Sequence, residues 1–140
     1  MSSIQVRTAA ERDLAWPAEH DGHLDRASIA VKLERGEILV ANLDGAVAGL
    51  LRFDLLWSAV PFIALVRVDE SARRRGVGRA LVEGLCDRAR RLGAEFVLSS
   101  AAGDEAEPQA WHHAVGFQRC GELQGINGDG IAEIVYLLRL

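Results

Sequence analysis

The chain has 140 residues, 49% of them hydrophobic and 26% charged, a size and balance that lead us to expect one compact domain over residues 1–140 rather than two. Its formal net charge of −4 opposes general attraction to nucleic acid or an anionic membrane and suits a small molecule or a cationic partner. The longest uncharged apolar stretch, Leu55 to Val66, contains Ser58 and Pro61 and falls well short of the ~20 residues that cross a bilayer.

At the N-terminus, Met1 to Arg7 shows no basic segment followed by an apolar run, so no secretory signal is expected and a cytoplasmic location follows. Ile4 to Thr8 reads as a first strand. Ala10 to Glu19 and Leu24 to Arg35 read as two helices, the second closed by Gly36. Glu37 to Leu43 and Ala46 to Trp57 are strands joined through Asp44-Gly45, a pair that supplies the positive φ of a tight hairpin. In the second of them Leu51, Phe53, Leu55 and Trp57 alternate with Arg52 and Asp54, which predicts one buried and one wet face. Phe62 to Val68 is almost wholly apolar and fits a central strand covered on both faces.

Arg79 to Leu92 is the clearest helix, with Leu81, Leu85, Ala89 and Leu92 on one face and Gly93 as its stop. Phe96 to Ser99 follows as a short buried strand. Pro108 suits a first helical turn preceded by Asp104, Glu105 and Glu107, so Pro108 to Val115 should be a brief helix ended by Gly116. Phe117 to Leu123 and Ala132 to Leu140 finish as strands. The expected order is β-α-α-β-β-β-α-β-α-β-β, an α/β mixed sheet flanked by helices.

Between the strand ending at Val68 and the helix near Arg79 lies Arg73-Arg74-Arg75-Gly76-Val77-Gly78-Arg79. Glycines at 76 and 78 let backbone N–H groups approach a ligand, and the helix N-terminus behind them adds partial positive charge, so the junction should bind a phosphate or pyrophosphate. A Walker A loop would need Gly-Lys-Ser/Thr, and a dinucleotide fingerprint would need a third glycine or alanine where this chain has Leu81. A solvated basic turn is the plain alternative.

The segment Val68 to Leu81 resembles motif A of the GCN5-related N-acetyltransferase (GNAT) superfamily, Arg/Gln-x-x-Gly-x-Gly/Ala after a valine-ending strand, with Arg73, Gly76 and Gly78 at its defining positions. Trp111-His112-His113-Ala114-Val115-Gly116-Phe117 resembles motif B, and Asp44 to Gly49 resembles the family's turn between its second and third strands. The resemblance implies the GNAT fold and binding of acetyl-CoA, with no metal. The pyrophosphate would rest on the loop amides from Arg74 to Arg79, and the pantetheine arm beside Val66, Arg67 and Val68, where the strand splays from Phe96–Ser99. Cofactor-binding residues implied in this way are Val66, Arg67, Val68, Arg73, Arg74, Arg75, Gly76, Val77, Gly78 and Arg79. A backbone N–H near Val68 would stabilise the oxyanion of a tetrahedral intermediate formed by direct attack of a primary amine.

Two proton transfers accompany that reaction: the amine loses a proton, and the departing thiolate gains one. The family commonly places a tyrosine in motif B for the second, and this chain has His112 there, a histidine able to donate near neutral pH. For the base, Asp54, Asp104 and Glu105 are the candidate carboxylates, with water relay as the alternative. The acceptor is expected to be an amine-bearing compound, most simply a small molecule, with a polypeptide amine, an aminoglycoside and a polyamine as alternatives. A non-catalytic acetyl-CoA-binding module is the reading outside enzymes. A homodimer is expected from the apolar last strand. His20 and His23 lack partners at metal spacing and read as loop residues. Trp16, Trp57 and Trp111 read as core or pocket-wall aromatics, and Cys86 and Cys120 as free thiols, Cys120 buried in its strand.

Overall fold

The computed structural model describes residues 3–140. Seven strands form one sheet: β1 (Ile4–Thr8), β2 (Ile38–Leu43), β3 (Ala46–Leu56), β4 (Val60–Val68), β5 (Phe96–Ala102), β6 (Gln118–Leu123) and β7 (Glu133–Arg139), in the spatial order β1-β2-β3-β4-β5-β7-β6. Four helices flank it: α1 (Ala15–His20), α2 (Arg26–Glu34), α3 (Val77–Arg91) and α4 (Ala106–Ala114). All neighbouring strands are antiparallel except β4 and β5. The expected mixed sheet and element order are therefore present.

The two-residue period of a strand sends alternate side chains to opposite faces, and β2 shows the result. Leu39, Ala41 and Leu43 join the core under α3, which contributes Val77, Leu81, Val82, Leu85 and Ala89. Ile38 and Val40 join the smaller core under α2, with Ile29 and Leu33. The Asp44-Gly45 turn has φ of 52° and 89°, the left-handed pair that a two-residue hairpin between Leu43 and Ala46 requires.

The N-terminal helices are shorter than their sequence pattern suggests. A 3-10 turn at Glu11–Asp13 precedes α1, because the Asp13 carboxylate accepts the Ala10 N–H at 2.8 Å and both Arg7 guanidinium nitrogens at 2.7 and 2.8 Å, which ties the segment to β1. Helix α2 starts after Asp25, whose side chain accepts the Ser28 N–H at 2.8 Å as an N-cap. The hydrogen bonds from Arg7 are the main reason the Asp13 carboxyl is held down at about 2, against the opposing effect of its burial. A carboxyl with a depressed folded-state pKa adds stability above its unfolded pKa of about 4 and loses it as pH falls through the folded value. Asp13→Asn should therefore flatten the fall in melting temperature between about pH 4 and pH 2, a change that thermal denaturation across an acid series reads directly.

Strand β3 is covered on both faces through its middle: Leu51 and Phe53 join the core under α3 and Leu50 the core under α2, with Arg52 buried as well, whereas Leu55 is exposed and Trp57 is 76% exposed at the tip of the β3–β4 hairpin. Arg52 and Phe53 face Leu65 and Ile63, so Ala64 is the extra residue of a bulge in β4. Trp57 is thus a surface residue rather than a core aromatic. Arg52, expected on the wet face, is buried because Asp21 from the α1–α2 loop meets it: Nε donates to Oδ2 at 2.8 Å and Nη2 to Oδ1 at 3.4 Å. Cys120 also differs from expectation, being exposed on the edge strand β6, while Cys86 is buried. Among the described residues, no helix is long and apolar enough to cross a membrane.

Candidate functional site

The parallel pair β4–β5 is joined at a single register position, Phe62 opposite Leu98. Beyond it the strands part, and the backbone groups of β4 that face away from β3 have no partner strand. A cleft of about 1000 Å³ opens along this split, lined by β4 from Ile63 to Val68, by the segment after it, by Ser99 and Ser100 of β5, and by one face of α4. The chain beyond Phe62 is consequently only half covered, with Ala64 exposed and Leu65 and Val66 intermediate, instead of buried on both faces.

At the cleft's open end the loop before α3 has the shape an anion site needs. Arg74 and Gly76 both take left-handed backbone, at φ of 64° and 86°, and Gly76 is the N-terminal flanking residue of α3. The bond from Ala80 N–H to Gly76 O, at 3.0 Å, begins the helical ladder, so the amides of Val77, Gly78 and Arg79 precede it and are the orphan donors of a helix start. Gly78 packs against α4 where it crosses the first turn of α3: a Cβ there would meet Trp111 Nε1 at 3.4 Å, an ordinary contact distance. Arg79 fastens the same crossing by donating from Nη2 to Ala114 O at 2.7 Å. Its guanidinium serves the C-terminus of α4, and that of Arg75 reaches Asp44 Oδ2 at 3.4 Å in the β2–β3 turn. Arg67, Arg73 and Arg74 are the arginines other than Arg79 that border the cleft.

His112 stands at the inner wall, 4% exposed. Its Nδ1 lies 2.7 Å from Pro108 O and its Nε2 2.7 Å from Ser99 Oγ. A carbonyl only accepts, so Nδ1 carries the proton. Burial holds the ring's pKa below the usual histidine value, against the opposing pull of the Pro108 carbonyl, and a neutral ring with its proton on Nδ1 must accept at Nε2 from the Ser99 hydroxyl. The ring also stacks on Tyr136, centroids 4.5 Å apart. The motif B histidine therefore presents no N–H of its own to the cleft, unlike the direct donor expected from its position.

The three candidate carboxylates are not brought together. Glu105 lines the cleft, as does Glu107. Asp104 is exposed and is not part of the lining. Asp54 lies toward the exposed end of β3 and pairs with Lys32 of α2, which also bonds Glu37 Oε1 at 3.1 Å; it too is outside the cleft. Ser99 was missed as a site residue. Two consecutive serines inside the apolar run Phe-Val-Leu-Ser-Ser-Ala-Ala are the signal that could have found it, because a hydroxyl in a covered strand needs a partner. Among the described residues there is no cluster of His, Cys, Asp and Glu able to hold a metal ion.

Residues 5–117 match the family described as Acetyltransferase (GNAT) family. The chain belongs to that family. No curated protein matches it. Among solved structures it is similar to a GNAT-family acetyltransferase from Bacillus cereus ATCC 10987, with 22% identity, a TM-score of 0.84, and 98% of this chain and 97% of that one covered. It is similar also to yncA from Salmonella typhimurium in complex with its cofactor acetyl-CoA (21% identity, TM-score 0.79, 98% and 94% covered). The ribosomal-protein-S18-alanine N-acetyltransferase of Escherichia coli shares 17% identity at a TM-score of 0.77, with 98% and 94% covered. At these identities the likeness shows the GNAT fold.

Proposed function

We propose that this GNAT-family protein is an N-acetyltransferase that moves the acetyl group of acetyl-CoA to a primary amine by direct attack at the thioester. The observation that carries the reading is the first turn of α3, its amides from Val77 to Arg79 opening beside the β4–β5 split under a left-handed Gly76. That cradle suits a pyrophosphate, with Arg73 and Arg74 able to add charge-assisted contacts. The unpartnered edge of β4 at Val66 to Val68 suits an amide-bearing pantetheine arm running from the loop toward the Phe62–Leu98 apex, so the N–H suited to a developing oxyanion lies farther along β4, toward Ile63, than the Val68 position the resemblance implies. A GNAT structure with acetyl-CoA bound supports the same choice of donor.

Calorimetric titration with acetyl-CoA, using ATP and NAD as controls, tests the cradle; thiol release across a panel of amines tests the transfer. Selective micromolar binding and acetyl-CoA turnover are the expected results. Binding without turnover against any amine would leave a non-catalytic acetyl-CoA module.

Glu105 and Glu107 at the cleft favour a cationic acceptor of the aminoglycoside or polyamine kind over a neutral one. Both are exposed, and an exposed charge pair contributes about 0.2–1 kcal/mol, up to about fivefold in affinity. Replacing both with glutamine should raise KM for a polyamine several-fold and change kcat little, a split that initial-rate kinetics resolves. A homodimer is part of this reading, supported by β6, an edge strand exposed along its whole length; light scattering of the purified protein measures it.

A further inference from the structure

The β4–β5 split has its apex at the Phe62–Leu98 pair, and Ser99 is the next residue of β5, the first past the point where the strands part. It is 2% exposed, borders the cleft, and points to the same face as Val97 and Ala101, toward α4. Its hydroxyl hydrogen is given to His112 Nε2, which leaves the Oγ lone pairs for whatever occupies the cleft apex. Behind it the imidazole is fixed at every edge: Nδ1–H on Pro108 O, one face on Tyr136, edges against Trp111 and Phe117. This is an aligned chain of two short hydrogen bonds running from the cleft apex into the protein, at the inner end of the path a pantetheine arm would follow along β4.

We propose that Ser99 is the residue that exchanges protons with the reacting groups during acetyl transfer, with His112 behind it as the positioning residue that takes and returns the proton. The inference rests on the acetyltransferase reading above. As the free amine nitrogen forms its bond to the thioester carbonyl carbon, one amine proton passes to Ser99 Oγ while the Ser99 proton passes to His112 Nε2. The imidazolium so formed keeps its Nδ1–H on the Pro108 carbonyl. When the C–S bond breaks, Nε2 returns a proton to Ser99 Oγ, and the Ser99 hydroxyl delivers its own to the CoA sulfur. From the free amine onward, one amine proton ends on one thiol, so the cycle closes without a carboxylate; the extra proton of an ammonium acceptor is given to solvent before the attack.

The charged and titratable surroundings of His112 set its resting state. Burial is the main influence and disfavours the imidazolium; Pro108 O favours it, His113 on the same helix opposes it, and Glu133 on β7 favours it. Tyr136, Phe117, Trp111 and Ser99 pack against it without formal charge in their usual states. The net direction is a pKa below the ordinary histidine value, so at neutral pH the ring is free to accept. Activity should then be lost on acidification, below the pH at which an ordinary histidine titrates.

The test measures kcat across pH, and the Kd for acetyl-CoA, in the wild type, Ser99→Ala, Ser99→Thr, His112→Gln and the Ser99→Ala/His112→Gln double variant. Loss of positioned acid–base catalysis corresponds to about 10²–10⁴-fold in rate. Ser99→Ala and His112→Gln should each lower kcat within that range, with Kd for acetyl-CoA changed by less than about threefold. The double variant should be no slower than the worse single by more than about threefold, as for residues acting in one chain. Ser99→Thr, which keeps the hydroxyl, should recover part of the rate, and His112→Gln should lack the acid limb. In the wild type, the midpoint of that limb should coincide with the His112 titration followed by NMR, a check that needs no variant to fold. An active wild type with Ser99→Ala within threefold of it, or an acid limb unchanged in His112→Gln, overturns the relay alone. A wild type that binds acetyl-CoA and acetylates no amine overturns the acetyltransferase reading and the relay with it.

Discussion

Gly76→Pro should reduce acetyl-CoA affinity by at least about 10–100-fold while the sheet and α3 remain folded. The residue sits at φ of 86°, a region that proline, locked near −65°, does not reach, and a proline there also lacks the N–H that the loop can offer to an anion. Forcing a backbone conformation of this kind costs about 1–3 kcal/mol, and each 1.4 kcal/mol is tenfold in binding. The loop relieves the strain by moving, and moving it redirects the amides of Val77, Gly78 and Arg79. Steric crowding is not the cause: the nearest atom to a Cβ at Gly76 is Ile4 Cδ1 at 3.9 Å. Gly76→Ala, left-handed at about 1–2 kcal/mol, should give a smaller loss. Gly45→Ala is the control, because Gly45 has φ of 89° and open space around its Cβ but belongs to the β2–β3 turn. It should lose comparable stability and keep its affinity, as calorimetry alongside thermal melting would show.

The contrast between those two glycines shows what the sequence can reveal. Asp-Gly between two apolar strands is a local pattern with a local cause, and the hairpin formed as expected. The loop from Arg73 to Arg79 was legible for the same reason, since glycine spacing and the helix behind it are contiguous in the chain. Its side chains were not. Arg75 and Arg79 stand in an unbroken basic run, yet one guanidinium reaches the β2–β3 turn and the other the end of α4, destinations fixed by elements that lie 31 and 35 residues away. The catalytic groups fared similarly. His112 could be placed in motif B, but its state depends on Ser99, 13 residues upstream, and on burial under Tyr136. Asp54 reads as a strand carboxylate beside the site, but its partner is Lys32 of α2, 22 residues upstream, on the face away from the cleft. Bulges and cross-element hydrogen bonds leave little trace in hydrophobic periodicity, which is why positions were legible and roles were not.

Arg52 carries the largest stability effect by the same logic. Arg52→Met should destabilise the protein by about 3–5 kcal/mol, the range for removing one partner of a buried ion pair, which lowers the melting temperature by about 10–20 °C in a chain of this size. Asp21 is fully buried, and burial alone would raise its pKa. The Arg52 guanidinium and the N–H groups of His23 and Leu24 outweigh that and hold the carboxyl below its ordinary value. Without Arg52 the charge stays buried with only the two amides. Asp21→Asn/Arg52→Met should therefore be more stable than Arg52→Met alone, since an amide oxygen can still accept from His23 and Leu24 and no charge remains uncompensated. The sign with pH follows from the depressed folded-state value: the pair's contribution is present above the unfolded carboxyl pKa of about 4 and is lost as pH falls through the folded one, so the single and double variants should converge in strong acid. The pair also anchors the α1–α2 loop over β4. A Cβ on Gly22, next to Asp21, would lie 3.3 Å from Arg67 Nη2, and Arg67 lines the cleft. Loosening Asp21 releases that wall, so at temperatures where Arg52→Met is still folded its KM for the amine should rise more than its Kd for acetyl-CoA. Equal changes in both would place the loop outside the acceptor's path.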